Sequence, residues 1–120
     1  HSETLEGTRD VLDAALDAGV TFLDTADVYG KEPGLSETLM GAAMQGRRDR
    51  FVVATKFGHS QIPGGVSSTA SKGSRAYVRA AVEASLRRLR TDWIDLYQLH
   101  TPDPETPIEE TLDALTELVR

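Results

Sequence analysis

Residues 74–100 read SRAYVRAAVEASLRRLRTDWIDLYQLH, and the fold turns on how this stretch is divided. Ser74 is a natural N-cap, and Val78, Val82, Leu86 and Leu89 follow at helical spacing. The period then changes. Trp93 to Leu99 (WIDLYQL) is a compact apolar run that ends on His100, the pattern of a helix feeding a buried strand. The same unit recurs upstream. Thr8 to Ala18 predicts a helix through Val11, Leu12, Ala15 and Leu16, stopped by Gly19, and Val20 to Asp24 (VTFLD) predicts a short strand. After a turn through Gly30, Pro33 and Gly34, Ser36 is the expected N-cap of a helix bearing Leu39, Met40, Ala43 and Met44, closed by Gly46. Phe51 to Thr55 (FVVAT) predicts the next strand, ending on Lys56. Downstream, Thr106, Pro107 and Glu109 form a capping-box start for a helix whose apolar face is Ile108, Leu112, Leu115 and Val119.

Helices alternating with strands imply a parallel sheet, either open and doubly wound or closed into a barrel. Both architectures bind ligands at the carboxyl ends of their strands. All three expected strands end on an ionisable residue: Asp24, Lys56 and His100. Gly58 to Gly73, rich in glycine and serine, is expected to be a mobile loop with few core contacts, with His59 solvated.

The composition narrows the function classes. The chain has 120 residues, 39% of them hydrophobic, enough for one domain with a core. A net charge of -6 argues against a nucleic-acid surface and against anionic membranes. The absence of cysteine excludes disulfides, thiolate metal sites and cysteine nucleophiles, and mildly favours a cytoplasmic protein. No apolar run approaches the ~20 residues of a membrane span, and no signal peptide is expected. The chain opens on His1, which implies that its natural start was removed or replaced.

Three motifs together resemble one family. FLDTADVYG, with Asp24 and Tyr29 at five-residue spacing, VVATKFG with Lys56, and IDLYQLH with His100 are similar to the catalytic tetrad of the aldo-keto reductases, in the family's order. Residues 74–100 also resemble the family's third-helix and fourth-strand signature. The resemblance implies a (β/α)8 TIM barrel and the NADPH-dependent reduction of a small carbonyl substrate. Tyr29 is then the proton donor. A tyrosine hydroxyl alone is a poor acid near neutral pH, and a neighbouring cation stabilises its phenolate. Lys56 is implied to be that cation, with Asp24 holding it charged and aimed. His100 is implied to polarise the substrate oxygen by a hydrogen bond. Of the cofactor contacts, Asp24 near the nicotinamide ribose is the one that carries over to this chain.

Each residue also has a plainer reading: Asp24 as a turn cap, Tyr29 as a packed loop aromatic, Lys56 as a solvated strand end, His100 as a hydrogen-bonded core histidine. Their joint occurrence at three strand ends favours the site. Asp27 is expected only to satisfy the turn, and a metal held by Asp24, Asp27 and His100 is not expected, for want of a second well-placed histidine. Arg47, Arg48, Arg50, Arg87, Arg88 and Arg90 are expected to be solvated.

A closed barrel of this kind takes ~250 residues. The expected organisation is therefore a fragment over residues 1–120 with about three of the strands, single in domain. The missing barrel half or another copy of the chain is its expected partner. Two alternatives stay open: a nucleotide-binding accessory subunit of the same fold, and a fragment inactive for lack of most of the cofactor site.

Overall fold

The computed structural model describes residues 4–27, 29, 34–58, 73–100 and 106–119. Within them run α1 (Leu5–Asp17), β1 (Phe22–Asp24), α2 (Leu35–Ala43), a single 3-10 turn (Arg48–Arg50), β2 (Val52–Phe57), α3 (Arg75–Leu89), β3 (Leu96–Leu99) and α4 (Ile108–Val119). The strands are parallel and ordered β1-β2-β3, as in the chain. None of the helices among the described residues is long and apolar enough to cross a membrane.

This strand order decides between the two architectures. Right-handed crossovers between consecutive neighbours lay every helix on the same face of the sheet. Leu23, Val53, Thr55 and Phe57 are buried on that face. The register places Phe22 opposite Val52, and Ala54 opposite both Asp24 and Leu96. On this second face Phe22, Val52 and Leu96 are 51%, 41% and 44% exposed. A doubly wound sheet covers both faces with helices, whereas a barrel strand turns one face to helices and the other to the barrel interior. The chain is a segment of a (β/α)8 barrel wall.

Two apolar clusters lie between sheet and helices. One joins Leu12, Leu23, Met44, Phe51, Val53 and Leu89; the other joins Phe57, Tyr77, Val78, Ala81 and Ala114.

The elements fall where expected, but several boundaries differ for identifiable reasons. The first helix begins at Leu5, ahead of Thr8, because the Thr4 hydroxyl accepts the Gly7 N–H at 3.0 Å. Ser36 lies inside α2 instead of capping it. Gly34, at φ +91°, occupies the cap position, and the Ser36 hydroxyl sits 2.8 Å from that of Thr25. Ser74 does cap α3, accepting the Tyr77 N–H at 3.2 Å. The second strand continues through Lys56 to Phe57.

The third strand starts only at Leu96, because the residues before it serve Arg48. The Arg48 guanidinium donates to the carbonyls of Phe51 and Trp93 and to Asp95, and stacks 4.2 Å from the Trp93 ring centroid. Asp95 in turn accepts the Val53 N–H at 2.8 Å. Arg48 is therefore a clamp across the amino ends of β2 and β3, not a solvated charge. The expected loop Gly58 to Gly73, including His59, lies outside the described residues apart from its two end glycines.

Gly41 allows α2 to approach α3. A Cβ built there would stand 2.5 Å from the Arg88 carbonyl oxygen and 2.6 Å from the Leu89 Cα, both backbone atoms that yield only if the helices separate. In the full-length protein, Gly41→Ala should destabilise the fold by ~1–3 kcal/mol through overpacking. Urea denaturation checks this; an unchanged midpoint would mean that the helix pair relaxes freely.

Candidate active site

Side chains alternate along a strand, and this alternation separates packing from chemistry. Leu23 and Thr55 face the helices, so Asp24 and Lys56 face the bare side. Lys56 Nζ donates to Asp24 Oδ1 at 2.7 Å and to the Thr25 carbonyl at 2.9 Å. Side-chain exposure is 17% for Lys56 and 58% for Asp24. An ion pair this open adds little stability, and its effect is to aim the ammonium group.

What the ammonium group faces is Tyr29, whose ring centroid lies 5.2 Å from Lys56 Nζ. The Tyr29 ring meets the His100 ring edge-on, with centroids 5.7 Å apart and planes at 88°. His100 is fixed through its backbone, whose N–H donates to the Phe57 carbonyl at 2.6 Å. The structure thus brings Asp24, Tyr29, Lys56 and His100 together at the carboxyl ends of the three strands.

A short turn carries Tyr29 to this position. The Asp27 N–H donates to the Lys56 carbonyl at 3.1 Å, and the Tyr29 N–H closes back on the Ala26 carbonyl at 3.3 Å. The Ser36 N–H donates to the Tyr29 carbonyl at 3.0 Å, tying the turn to the start of α2.

Behind the sheet lies a polar network that the sequence did not reveal. Glu37 is fully buried, its Oε2 accepting the Thr55 hydroxyl at 2.6 Å and its Oε1 accepting Arg88 Nε at 2.8 Å. Arg88 is accordingly a half-buried partner of Glu37, not a solvated residue. The one signal for Glu37 was its place on the inward stripe with Met40, Gly41 and Met44. Asp27 points to the same side and is fully buried. Burial, reinforced by Glu37, raises its carboxyl to about 7, against opposing pulls from Arg88 and the backbone. Burial also raises the Tyr77 hydroxyl, and the Tyr97 hydroxyl well beyond the usual tyrosine value.

Comparisons with known proteins identify the family. The aldo/keto reductase family pattern matches residues 4–120, and the chain belongs to that family. It is 44% identical over 113 residues to uncharacterized oxidoreductase YqkF of Bacillus subtilis, covering 90% of this chain and 34% of that protein. L-glyceraldehyde 3-phosphate reductase of Escherichia coli is 36% identical over 124 residues, covering 100% of this chain and 35% of its own. Among solved structures, the holo form of aldo-keto reductase AKR11C1 from Bacillus halodurans superposes with a TM-score of 0.82 at 42% identity, covering 98% of this chain and 38% of that one. The apo form of the same protein gives 0.69. The chain spans about a third of the length of the curated relatives it matches.

Removing Glu37 takes from the largely covered Arg88 guanidinium its carboxylate partner. Glu37→Leu should therefore cost ~3–5 kcal/mol in the full-length protein, whereas the double variant Glu37→Leu/Arg88→Leu should recover much of the loss. Chemical denaturation of the set reads this directly. Additive losses would show that the two residues act independently.

Proposed function

We propose that the protein is an NADPH-dependent aldo-keto reductase that reduces aldehydes or ketones to alcohols, with Tyr29 as the general acid. The observation that carries this reading is the double anchoring of Lys56, held by Asp24 Oδ1 and the Thr25 carbonyl while its ammonium group faces the Tyr29 ring. As charge grows on the substrate oxygen, Tyr29 Oη gives up its proton and the phenolate left behind is stabilised by Lys56. Asp24 keeps that lysine in place. His100, against the Tyr29 ring, orients the substrate carbonyl by a hydrogen bond.

The residues fit a nicotinamide cofactor. Asp24 commits one oxygen to Lys56 yet stays largely exposed, which leaves the carboxylate accessible to ribose hydroxyls. When bound, the nicotinamide supplies the hydride that the carbonyl carbon receives. One relative named as a reductase of an aldehyde, L-glyceraldehyde 3-phosphate, supports the carbonyl substrate class. The same reading puts the enzyme in the cytoplasm and assigns the bare face of the sheet to the remaining strands of the closed barrel, supplied by the missing half or by another copy. On this reading, turnover belongs to the assembled barrel, and the 120 residues alone are inactive.

In the full-length protein, Tyr29→Phe should lower kcat by ~10² or more, the scale of general acid catalysis, with NADPH affinity little changed. Lys56→Met should lose a comparable amount. Aldehyde reduction near the wild-type rate in either variant would refute the roles given to these side chains.

A further inference from the structure

Asp27 has none of the roles above, yet its placement is energetically unfavourable. It is fully buried, and neither carboxylate oxygen has a hydrogen-bond partner among the described residues. A buried carboxyl in that condition weakens the fold, so packing alone does not account for an acid at this position.

The turn that contains it offers an account. Asp27 and Tyr29 lie on opposite sides of the sheet. The Asp27 carboxyl is set among Glu37 of α2, Arg88 and Tyr77 of α3, and Tyr97 of β3, all on the helix-covered side. Tyr29 stands against Lys56 and His100 on the bare side. The backbone between them is short and bonded at both ends, to the Lys56 carbonyl and to Ser36. Asp27 and Tyr29 thus belong to one tethered turn.

We propose that Asp27 is a positioning residue of the carbonyl-reducing site: its carboxyl, buried on the same side of the sheet as the Glu37–Arg88 pair, sets the turn that holds Tyr29 against Lys56 on the opposite face. The proposal rests on the function proposed above. Its chemistry follows from the surroundings. A neutral carboxyl both donates and accepts, and suits a region where the Tyr77 and Tyr97 hydroxyls are also buried without partners among the described residues. An ionised one sets a second negative charge beside Glu37, with Arg88 already committed to that residue.

Burial raises the folded-state value to about 7 from 3.8, so the folded protein holds this proton more tightly across that window. Stability is thus highest below about 4, falls as pH rises through about 7 and levels off above it. The loosening falls on the Asp27 turn, so the Tyr29 geometry follows the same ionisation.

The test uses the full-length protein, 13C-labelled at the aspartate γ and tyrosine ζ carbons, as wild type, Asp27→Asn, Asp27→Leu and Tyr29→Phe. We expect the Asp27 γ carbon to titrate near 7 and the Tyr29 ζ resonance to move with the same midpoint. Asp27→Asn, a neutral isostere, should abolish that Tyr29 transition, keep kcat within ~3-fold of wild type at pH 6, and lose the fall in kcat above pH 7. Asp27→Leu should lower kcat by ~10-fold, because small misplacements of a catalytic group are costly, with NADPH affinity unchanged. A Tyr29 transition that survives in Asp27→Asn overturns the proposal, as does full kcat in Asp27→Leu. Undiminished turnover in Tyr29→Phe would defeat the functional reading, while the two resonances would still decide whether Asp27 positions Tyr29.

Discussion

The buried carboxylate of Glu37 is the constraint on which the arrangement depends. A charge removed from water is tolerated only when its oxygens are occupied, and here each one binds a different element: Thr55 of β2 and Arg88 of α3. Helix α2 cannot slide along the sheet or rotate against α3 without stranding that charge. Gly41, one turn further on, removes the side chain that would otherwise keep the two helices apart. Electrostatics and sterics thus specify the same docking geometry, from two residues on one helix face.

Fixing Thr55 has a direct consequence for the site, since strand alternation carries Lys56 to the other face. The register then sets Asp24 of β1 where its carboxylate meets Lys56 Nζ at 2.7 Å. The Lys56 carbonyl accepts the Asp27 N–H, and its ammonium group donates to the Thr25 carbonyl, so one lysine ties the following turn through both backbone and side chain. Tyr29 is a loop residue, but its position is set by a strand.

What could be read from the sequence was whatever repeats locally. Helix–strand alternation, the Gly19 stop, the Ser74 cap and the ionisable strand ends all follow from a few adjacent residues, and with the family resemblance they led to the barrel. What could not be read depends on partners far apart in the chain. The Arg48 clamp joins residues on two strands and shortens β3 from its expected start at Trp93 to Leu96. Arg88 and Glu37 are separated by 51 residues, and no local pattern distinguishes Arg88 from its solvated neighbours. Ser36 looked like a cap because its hydroxyl could serve the backbone; in the structure it meets Thr25 instead. The sequence suggests only that Asp27 satisfies the turn, whereas this turn straddles the sheet and buries it.

The two ends of the sheet show why chemistry belongs at one of them. Each end has an aspartate beside a cation, Asp95 with Arg48 and Asp24 with Lys56. At the amino end the pair is tied to the strands: burial pushes Asp95 up, but the Val53 N–H and Arg48 outweigh it and hold its carboxyl below the usual range. Arg48 is likewise spent on two backbone carbonyls and the Trp93 ring. These contacts join the two strands. At the carboxyl end Asp24 remains 58% exposed and Lys56 Nζ lies 5.2 Å from the Tyr29 ring centroid. In a barrel the backbone carbonyls and the following turns converge at that end. An ion pair there can be held by the fold without being consumed by it, and that difference separates a structural pair from one that can act on a substrate.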